Sequence, residues 1–139
     1  MLSEATVSPI FTGKVSRYRS DNMPSRKVLG AKGERMAAEF LRRRGFEIIE
    51  RNFRFNRGEI DLIARKGKLI VFCEVKTRRS STFGSGEDSV DTRKQAQIRK
   101  VAEGYIAERD IEGSDFRFDV LVIELHGKST RIRSIENAF

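Results

Sequence analysis

The chain has 139 residues, of which 38% are hydrophobic and 35% charged, and its formal net charge is +8. This length and composition predict a soluble globular protein with one hydrophobic core, and no apolar run is long enough to span a bilayer. The single cysteine excludes an internal disulfide and a cysteine-rich zinc site. Because no secretory signal opens the chain, we expect a cytoplasmic protein.

The excess of positive charge predicts a polyanionic partner, and nucleic acid ranks first among such partners. No amphipathic helix rich in Lys and Arg with a bulky aromatic face is evident, so we expect no membrane partner. The plainer alternative is a small basic protein that is simply soluble.

Residues 1–30 show neither a helical nor a strand period. Their basic residues outnumber their acidic ones, and Ser, Gly and Pro interrupt them. This composition predicts a flexible basic N-terminal arm, followed by one domain over residues 31–139. The arm either touches nucleic acid or is an incidental extension.

Residues 31–44 have the periodicity of a helix, and Gly45 is placed to end it. The apolar arc of this helix consists of Ala37, Ala38, Phe40 and Leu41. Glu34 lies three, four and seven positions before members of the arc, so its side chain points with the arc. The helix dipole stabilises an acidic residue in the first turn, but this does not explain why the residue shares the apolar face.

Residues 46–55 predict a first strand, and residues 58–76 predict a hairpin that turns at Lys66 and Gly67. In that register Asp61 lies opposite Phe72. One face of the hairpin then carries Glu59, Asp61, Ile63, Ile70, Phe72, Glu74 and Lys76. The opposite face is apolar and carries Ile60, Leu62, Leu69, Val71, Cys73 and Val75.

Two carboxylates come together on the polar face of this hairpin. Asp61 and Glu74 are diagonal neighbours with backbones roughly 7–8 Å apart, and Lys76 lies one step beyond. Like charges on one face repel, and a hard cation such as Mg²⁺ offsets the repulsion. The alternative is an exposed face with ordinary solvated charges. The apolar run 69–73 favours instead a central strand covered on both faces, where acidic residues need a partner.

The remaining residues predict a polar loop, a second helix and two more strands. The loop spans residues 77–89 and the helix runs from about Asp91 to Glu108. The buried stripe of this helix is Ile98, Val101, Ala102, Tyr105 and Ile106. Lys94 extends the stripe and presents its ammonium either to the acidic residues or only to solvent. Residues 116–125 predict a buried strand, and 131–135 an edge strand.

The predicted elements follow the order helix, three strands, helix, strand, and along them lie Glu34, Asp61 and Glu74-Val75-Lys76. This pattern resembles the PD-(D/E)XK nuclease superfamily. A closer resemblance is to the YraN family of small bacterial proteins. It is carried by GERMAAEFL at 33–41, GEIDLIA at 58–64, FCEVKTR at 72–78, KQ at 94–95 and RFDV at 117–120. Archaeal Holliday-junction resolvases are similar over the first helix and the hairpin. The resemblance implies an α/β fold with a restriction endonuclease-like core and a mixed central sheet.

The resemblance also implies roles for individual residues. Asp61 and Glu74 match the metal-binding carboxylates of the superfamily, and Glu34 matches a helix carboxylate that completes the site in resolvase-like members. Lys76 matches the lysine that orients or activates the attacking water. The carbonyl of Val75 is a further metal ligand on this basis, and Mg²⁺ or Mn²⁺ is the implied cofactor. The motif Glu-Ile-Asp lacks the proline of the superfamily's name, a position that varies within it.

The implied function is that of a metal-dependent endonuclease that hydrolyses phosphodiester bonds in structured DNA, with branched or junction DNA among the expected substrates. The residues expected to hold backbone phosphates without reading sequence are Arg35, Arg57, Arg78, Arg79 and Lys94. Resolvase-like relatives act as dimers, so a homodimer is one expectation. Two alternatives stay open, because fold and motif do not prove turnover: a nucleic-acid-binding module without efficient catalysis, and an assembly protein for an acidic partner.

Overall fold

Two helices and six strands make up the part of the chain that the structure, a computed structural model, describes, namely residues 2–7, 25–79 and 90–139. In chain order these elements are β1 Leu2–Val7, α1 Arg26–Arg43, β2 Glu47–Phe55, β3 Gly58–Lys66, β4 Leu69–Arg79, α2 Thr92–Glu108, β5 Asp115–His126 and β6 Ser129–Ile135. This confirms the predicted mixture of helices and strands in one α/β fold. Part of the predicted loop belongs to β4, and its residues 80–89 lie outside the described residues.

The strands form one mixed sheet in the order β1-β6-β5-β4-β3-β2. Strands β4 and β5 are parallel, because α2 connects them as a crossover, and the other neighbouring strands are antiparallel. The predicted order of elements therefore holds from α1 to β5, and β1 and β6 are added at its ends. The strand predicted at 131–135 is not at the edge of the six-stranded sheet, because β1 pairs beyond it.

Helix α1 begins earlier than the sequence pattern predicts. The side chain of Ser25 caps it by accepting a hydrogen bond from the Val28 N–H at 3.3 Å. Val28 is 54% exposed, so the first turn lacks the apolar face by which the sequence pattern would have indicated the start of the helix. The boundary predicted between residues 30 and 31 consequently falls inside α1, and residues 8–24 of the predicted arm lie outside the described part of the chain.

The end of α1 and the start of α2 lie where the sequence predicts them. Gly45 adopts φ of +90° just after α1, a left-handed conformation that glycine tolerates. Asp91 caps α2 by accepting a hydrogen bond from the Lys94 N–H at 2.8 Å. Within the described residues, neither helix is long and apolar enough to cross a membrane.

The hydrophobic core lies in two layers, one on each face of the sheet. Under α1 the buried residues include Ala37, Ala38, Phe40, Leu41, Leu62, Val71, Cys73 and Leu121. Under α2 they include Ile60, Ile63, Ile70, Phe72, Ile98, Val101, Tyr105 and Val120. Burial of this apolar surface is the main stabilising term. Strands β3, β4 and β5 are covered on both faces, so a polar side chain on them needs a specific partner.

The predicted register of the β3–β4 hairpin is wrong by two residues. Leu62 pairs with Cys73, and Lys66 pairs with Leu69. The turn therefore consists of Gly67 and Lys68, because the first turn position has a φ of +60° that favours glycine. A shift of two residues keeps each side chain on its predicted face, since the strand period is two.

One residue of the hairpin departs from its predicted face. Ile60 was expected beside Leu62 on the apolar face, but it packs in the layer under α2 while Leu62 packs under α1. The alternation of faces is thus broken at Asp61, between them. The paired ladder of β3 with β4 also ends beside this point, at Leu62 and Cys73.

Candidate functional site

The main-chain pairing of β3 with β4 ends next to Asp61 and Glu74. Beyond that point the Asp61 side chain, and not the backbone of β3, forms a hydrogen bond with the backbone of β4. Asp61 Oδ2 accepts a hydrogen bond from the Val75 N–H at 2.8 Å. This bond satisfies a donor that would otherwise have lost its partner as the strands diverge. It also fixes the Asp61 carboxyl group against β4.

The carboxyl groups of Asp61 and Glu74 lie close enough to influence each other's ionisation. Burial, with the nearby charge of Glu74, raises the pKa of Asp61 to about 7. Burial also raises the pKa of Glu74, whose side chain is only 16% exposed. Both shifts disfavour the doubly ionised pair, and a cation bound at this place would relieve the repulsion between the two carboxylates.

Helix α1 brings a third carboxylate, Glu34, toward this pair. A Cβ atom on the preceding Gly33 would lie 1.7 Å from Thr77 Oγ1, so glycine permits the close approach of α1 to β4. Glu34 is half-buried. Burial, followed by the charge of Asp61, raises the pKa of Glu34 above its usual value of 4.5. The sequence prediction that Glu34 faces inward is in agreement with this position.

Two lysines bring positive charge to the carboxylates. Lys94 Nζ, on the first turn of α2, lies 3.9 Å from Glu74 Oε1. Lys76 follows Glu74 by two positions on β4 and is half-buried. Both ammonium groups lower the pKa of Glu74, which offsets part of the rise that burial causes. The site thus joins α1, β3, β4 and α2.

Asn52 on β2 belongs to this site and was not predicted from the sequence. The positions on either side of it pair with Leu62 and Ile60, so Asn52 lies across from Asp61. Ionised carboxylates only accept hydrogen bonds, so the NH₂ group of Asn52 is assigned to face them, and in that orientation its nitrogen lies 3.1 Å from Glu34 Oε2 and 2.9 Å from Glu59 Oε1. The signal available in the sequence was an asparagine inside a strand, where this residue type is depleted.

Three of the predicted phosphate-binding arginines are exposed around the site. Arg35 lies on α1, one residue after Glu34, and Arg57 lies in the turn between β2 and β3. Arg79 is the last residue of β4.

Arg78, the fourth of them, faces inward. Its guanidinium nitrogen Nη2 lies 3.9 Å from Oε1 of Glu124, a residue with no exposed surface. The same Glu124 oxygen accepts a hydrogen bond from Arg133 Nε at 2.6 Å. Removing either cation from a buried carboxylate is costly, so Arg78 contributes to the internal charge balance of the sheet.

The RFDV segment that contributes to the resemblance pairs with β4 up to Glu74, whose partner is Val120, and its charged residues have a structural role. Arg117 and Asp119 form two parallel hydrogen bonds of 2.8 Å. Asp119 is buried and also accepts from the Asn137 N–H at 3.0 Å. This arrangement attaches the C-terminal residues to β5.

The donor set fits a hard divalent cation and does not fit zinc. The oxygens of Asp61 and Glu74 are of the type that Mg²⁺ prefers, and Mg²⁺ keeps several waters while bound by one or two carboxylates. No group of three or more His, Cys, Asp and Glu side chains in residues 25–79 and 90–139 is arranged to hold a metal by itself. Cys73 is buried, which raises the pKa of its thiol and disfavours the thiolate form in which cysteine binds zinc.

Comparison with known proteins gives a consistent set of relatives. The pattern of the "Uncharacterised protein family UPF0102" matches residues 33–123. A UPF0102 protein of Caldicellulosiruptor bescii is 47% identical over 116 residues, covering 81% of this chain and 98% of the relative. One of Geobacter metallireducens is 46% identical over 113 residues, covering 81% and 93%. One of Alkaliphilus metalliredigens is 45% identical over 113 residues, covering 81% and 98%.

Proposed function

We propose that this chain, which belongs to the UPF0102 family, is a metal-dependent nuclease that hydrolyses phosphodiester bonds in structured DNA. The observation that supports the proposal best is the pairing of the half-buried carboxyl groups of Asp61 and Glu74 at the divergence of β3 and β4. Two such acids destabilise each other when both ionise, and a bound cation relieves that cost. Lys76, on the same strand, supplies the cationic group that hydrolysis of a phosphodiester needs.

The order of elements supports the same proposal. From α1 to β5 the chain runs helix, three strands, helix, strand, with Asp61 on the second of these strands and Glu74 and Lys76 on the third. This is the arrangement by which the sequence resembles the PD-(D/E)XK nucleases. We therefore place the chain among these enzymes as part of the proposal.

Asp61 and Glu74 would hold the cation, with Glu34 and the carbonyl of Val75 as further oxygen ligands. Mg²⁺ or Mn²⁺ bound there lowers the pKa of a water molecule and neutralises charge that develops on the phosphate. The Val75 N–H keeps the Asp61 carboxylate in place throughout. Lys94, whose Nζ lies 3.9 Å from Glu74 Oε1, would keep Glu74 oriented toward the cation.

Lys76 would place its ammonium beside the attacking water or the scissile phosphate, where a fixed positive charge stabilises the transition state. The exposed Arg35, Arg57 and Arg79 would contact phosphates on either side of the cleaved bond. Such contacts position the strand without reading its bases. The proposal accordingly assigns specificity to the shape of the DNA and not to its sequence.

A cleavage panel tests the proposal directly. The substrates are four-way junction, flap, nicked and single-stranded DNA, each with Mg²⁺, Mn²⁺ or EDTA. We expect the parent to cleave at least one of them only when the cation is present, and Asp61→Ala to cleave none. The matched control is Asp115→Ala, at an exposed aspartate that begins β5, where it pairs with Leu69 at the opposite end of β4 from Lys76.

Other outcomes of the panel would overturn the nuclease proposal in distinguishable ways. Salt-dependent binding of DNA without any cleavage would indicate a binding module. Failure to bind nucleic acid even at low salt would indicate a protein that assembles with an acidic partner. Cleavage by Asp61→Ala at the parent's rate would show that the carboxylate pair has no catalytic part.

A further inference from the structure

Asn52 has a backbone conformation that few residue types adopt. Its φ is +51°, in the left-handed region, although it lies within β2 and not in a turn. Asparagine is one of the few non-glycine residues that enter this region readily. Such conformations cost free energy and persist where the surrounding structure requires them, often at functional sites. The residue across from this irregularity is Asp61.

The amide of Asn52 bridges two carboxylates. Glu34 Oε2 and Glu59 Oε1 lie 3.1 Å and 2.9 Å from its nitrogen. Because ionised carboxylates only accept hydrogen bonds, the NH₂ group and not the carbonyl oxygen of Asn52 faces them. The NH₂ group has two hydrogens, so it serves both carboxylates at once. Glu59 is also held from its other side, since its Oε2 lies 3.3 Å from Arg54 Nε.

We propose that Asn52 is a positioning residue that holds Glu34 beside Asp61, so that the carboxylate of α1 takes part in binding the divalent cation. This inference rests on the function proposed above. Glu34 is half-buried next to Asp61 and Glu59, and repulsion from both favours its rotation toward solvent. A neutral donor opposes that rotation without adding a positive charge that would compete with the cation. An arginine or lysine at position 52 would lack this property.

The contact with Asn52 gives Glu34 and Glu59 different roles. Glu59 engages Asn52 on one side and Arg54 on the other, so its oxygens are both occupied away from the pair of acids. Glu34 engages Asn52 through Oε2. Asn52 thus directs one carboxylate to the cation and keeps the neighbouring one out of the ligand set.

The first test measures Mn²⁺ affinity by calorimetry for the parent and for Asn52→Gly, in which glycine retains the left-handed φ but has no amide. Loss of a group that orients a metal ligand typically weakens metal binding about 10–100-fold, and we expect at least the lower figure. The matched control is Asn56→Gly, at an exposed asparagine with φ of +55° four residues later. The control should bind Mn²⁺ as the parent does.

A double-mutant cycle distinguishes positioning of Glu34 from a general structural effect. We expect Asn52→Gly to have no further effect on Mn²⁺ affinity once Glu34→Ala is present. An unchanged affinity of Asn52→Gly would overturn the inference and leave the nuclease proposal intact. An equal loss in both backgrounds would also overturn it. A parent that binds no Mn²⁺ would overturn the nuclease proposal, and the inference with it.

A second measurement needs neither metal nor a change at position 52. In the metal-free protein, Glu34→Ala should shift the side-chain NH₂ resonances of Asn52 in a ¹H–¹⁵N spectrum. The side-chain resonances of Asn56 serve as the internal control and should stay in place. Asn52 resonances that do not move would show that the bond to Glu34 is not formed in solution.

Discussion

At the scale of single residues, the candidate site is defined by the close approach of the Asp61 and Glu74 carboxyl groups. The Val75 N–H holds Asp61 from one side, and Lys94 lies beside Glu74 on the other. Neither contact removes the conflict between the two half-buried acids, because partial burial still raises the pKa of both. A site of this kind is costly for the fold alone, which is consistent with a role in binding cations.

Stability of the metal-free protein should fall as the pH rises. The pKa of Asp61 is raised from 3.8 to about 7, so the folded state keeps a proton that the unfolded chain releases. This contribution to stability is complete below the unfolded pKa and is lost as pH rises through the folded one, by roughly 4 kcal/mol. Asp61→Asn keeps an oxygen for the Val75 N–H and should flatten the slope.

Urea unfolding in EDTA between about pH 4 and 8 measures this effect. Near pH 8 the Asp61→Asn variant should be more stable than the parent, and near pH 4 the two should be similar. Added Mn²⁺ should reverse the order at pH 8, because it stabilises the parent by binding its folded state. An identical pH dependence in both proteins would show that Asp61 does not hold the proton.

Asp61→Asn and Lys76→Ala should affect metal binding in opposite directions. The first removes a charged ligand and should weaken Mn²⁺ binding. The second removes a positive charge near Glu74 and spares the carboxylates, so Mn²⁺ affinity should stay the same or rise. Lys68→Ala, at an exposed lysine in the β3–β4 turn, is the control in a calorimetric titration. Weaker Mn²⁺ binding by Lys76→Ala than by Asp61→Asn would contradict this assignment.

At the scale of elements, the approach of α1 to β4 decides whether Glu34 reaches the site. Gly33 and Gly30 lie on the same helix and offer a matched pair of substitutions. A Cβ at position 33 would meet Thr77 Oγ1 at 1.7 Å and Thr77 Cβ at 2.8 Å, whereas nothing lies within 4 Å of a Cβ at position 30.

Gly33→Ala should therefore destabilise the protein by about 1–3 kcal/mol, because the helix must move away from β4. Gly30→Ala should stabilise it by up to about 1 kcal/mol, since alanine favours a helix more than glycine does. Thermal or urea unfolding measures both effects. If the two substitutions changed stability in the same direction, α1 would not be packed as described.

Periodicity explains which elements could be predicted from the sequence. Helix α2 and strand β5 have regular apolar patterns, and the structure confirms them to within a residue or two. The first turn of α1 has no apolar face, so its start was missed. The register of the hairpin depends on which turn position has a positive φ. Gly67 has this φ at the first turn position, whereas the predicted turn placed Gly67 at the second.

The candidate site was predictable where the two strands of one hairpin decide it and not where contacts with distant elements do. Asp61, Glu74 and Lys76 lie on two strands joined by a short turn, and the error of two residues in the predicted register leaves them on one face. The role of Asn52 depends on a backbone torsion and on pairing between β2 and β3, which local sequence does not report. The inward orientation of Arg78 likewise depends on Glu124, which is distant along the chain.

At the scale of the whole molecule, the net charge of +8 should make DNA binding strongly dependent on salt. The logarithm of the affinity should fall with the logarithm of the salt concentration, with a slope of about −0.9 per phosphate neutralised on duplex DNA. Fluorescence anisotropy at several salt concentrations measures the slope. Binding that is indifferent to salt would contradict a surface that contacts phosphates.

Reversing charges around the site should weaken binding to all sequences alike. Arg57→Glu and Arg79→Glu, made singly, should each lower the affinity and reduce the salt slope by about 1 for the lost phosphate contact. Lys68→Glu changes the net charge in the turn at the opposite end of the hairpin and should have a smaller effect. Equal effects of reversal at these places would indicate attraction by net charge alone.

The measurement that tests the nuclease proposal most directly is cleavage of four-way junction DNA by Lys76→Ala with Mn²⁺ at a concentration that saturates its site. Asp61 and Glu74 are intact in this variant, so the cation is bound while the positive charge beside it is missing. The expected result is DNA binding with no detectable cleavage, under conditions in which the parent and Lys68→Ala both cleave. Cleavage by Lys76→Ala as fast as by the parent would contradict the catalytic assignment.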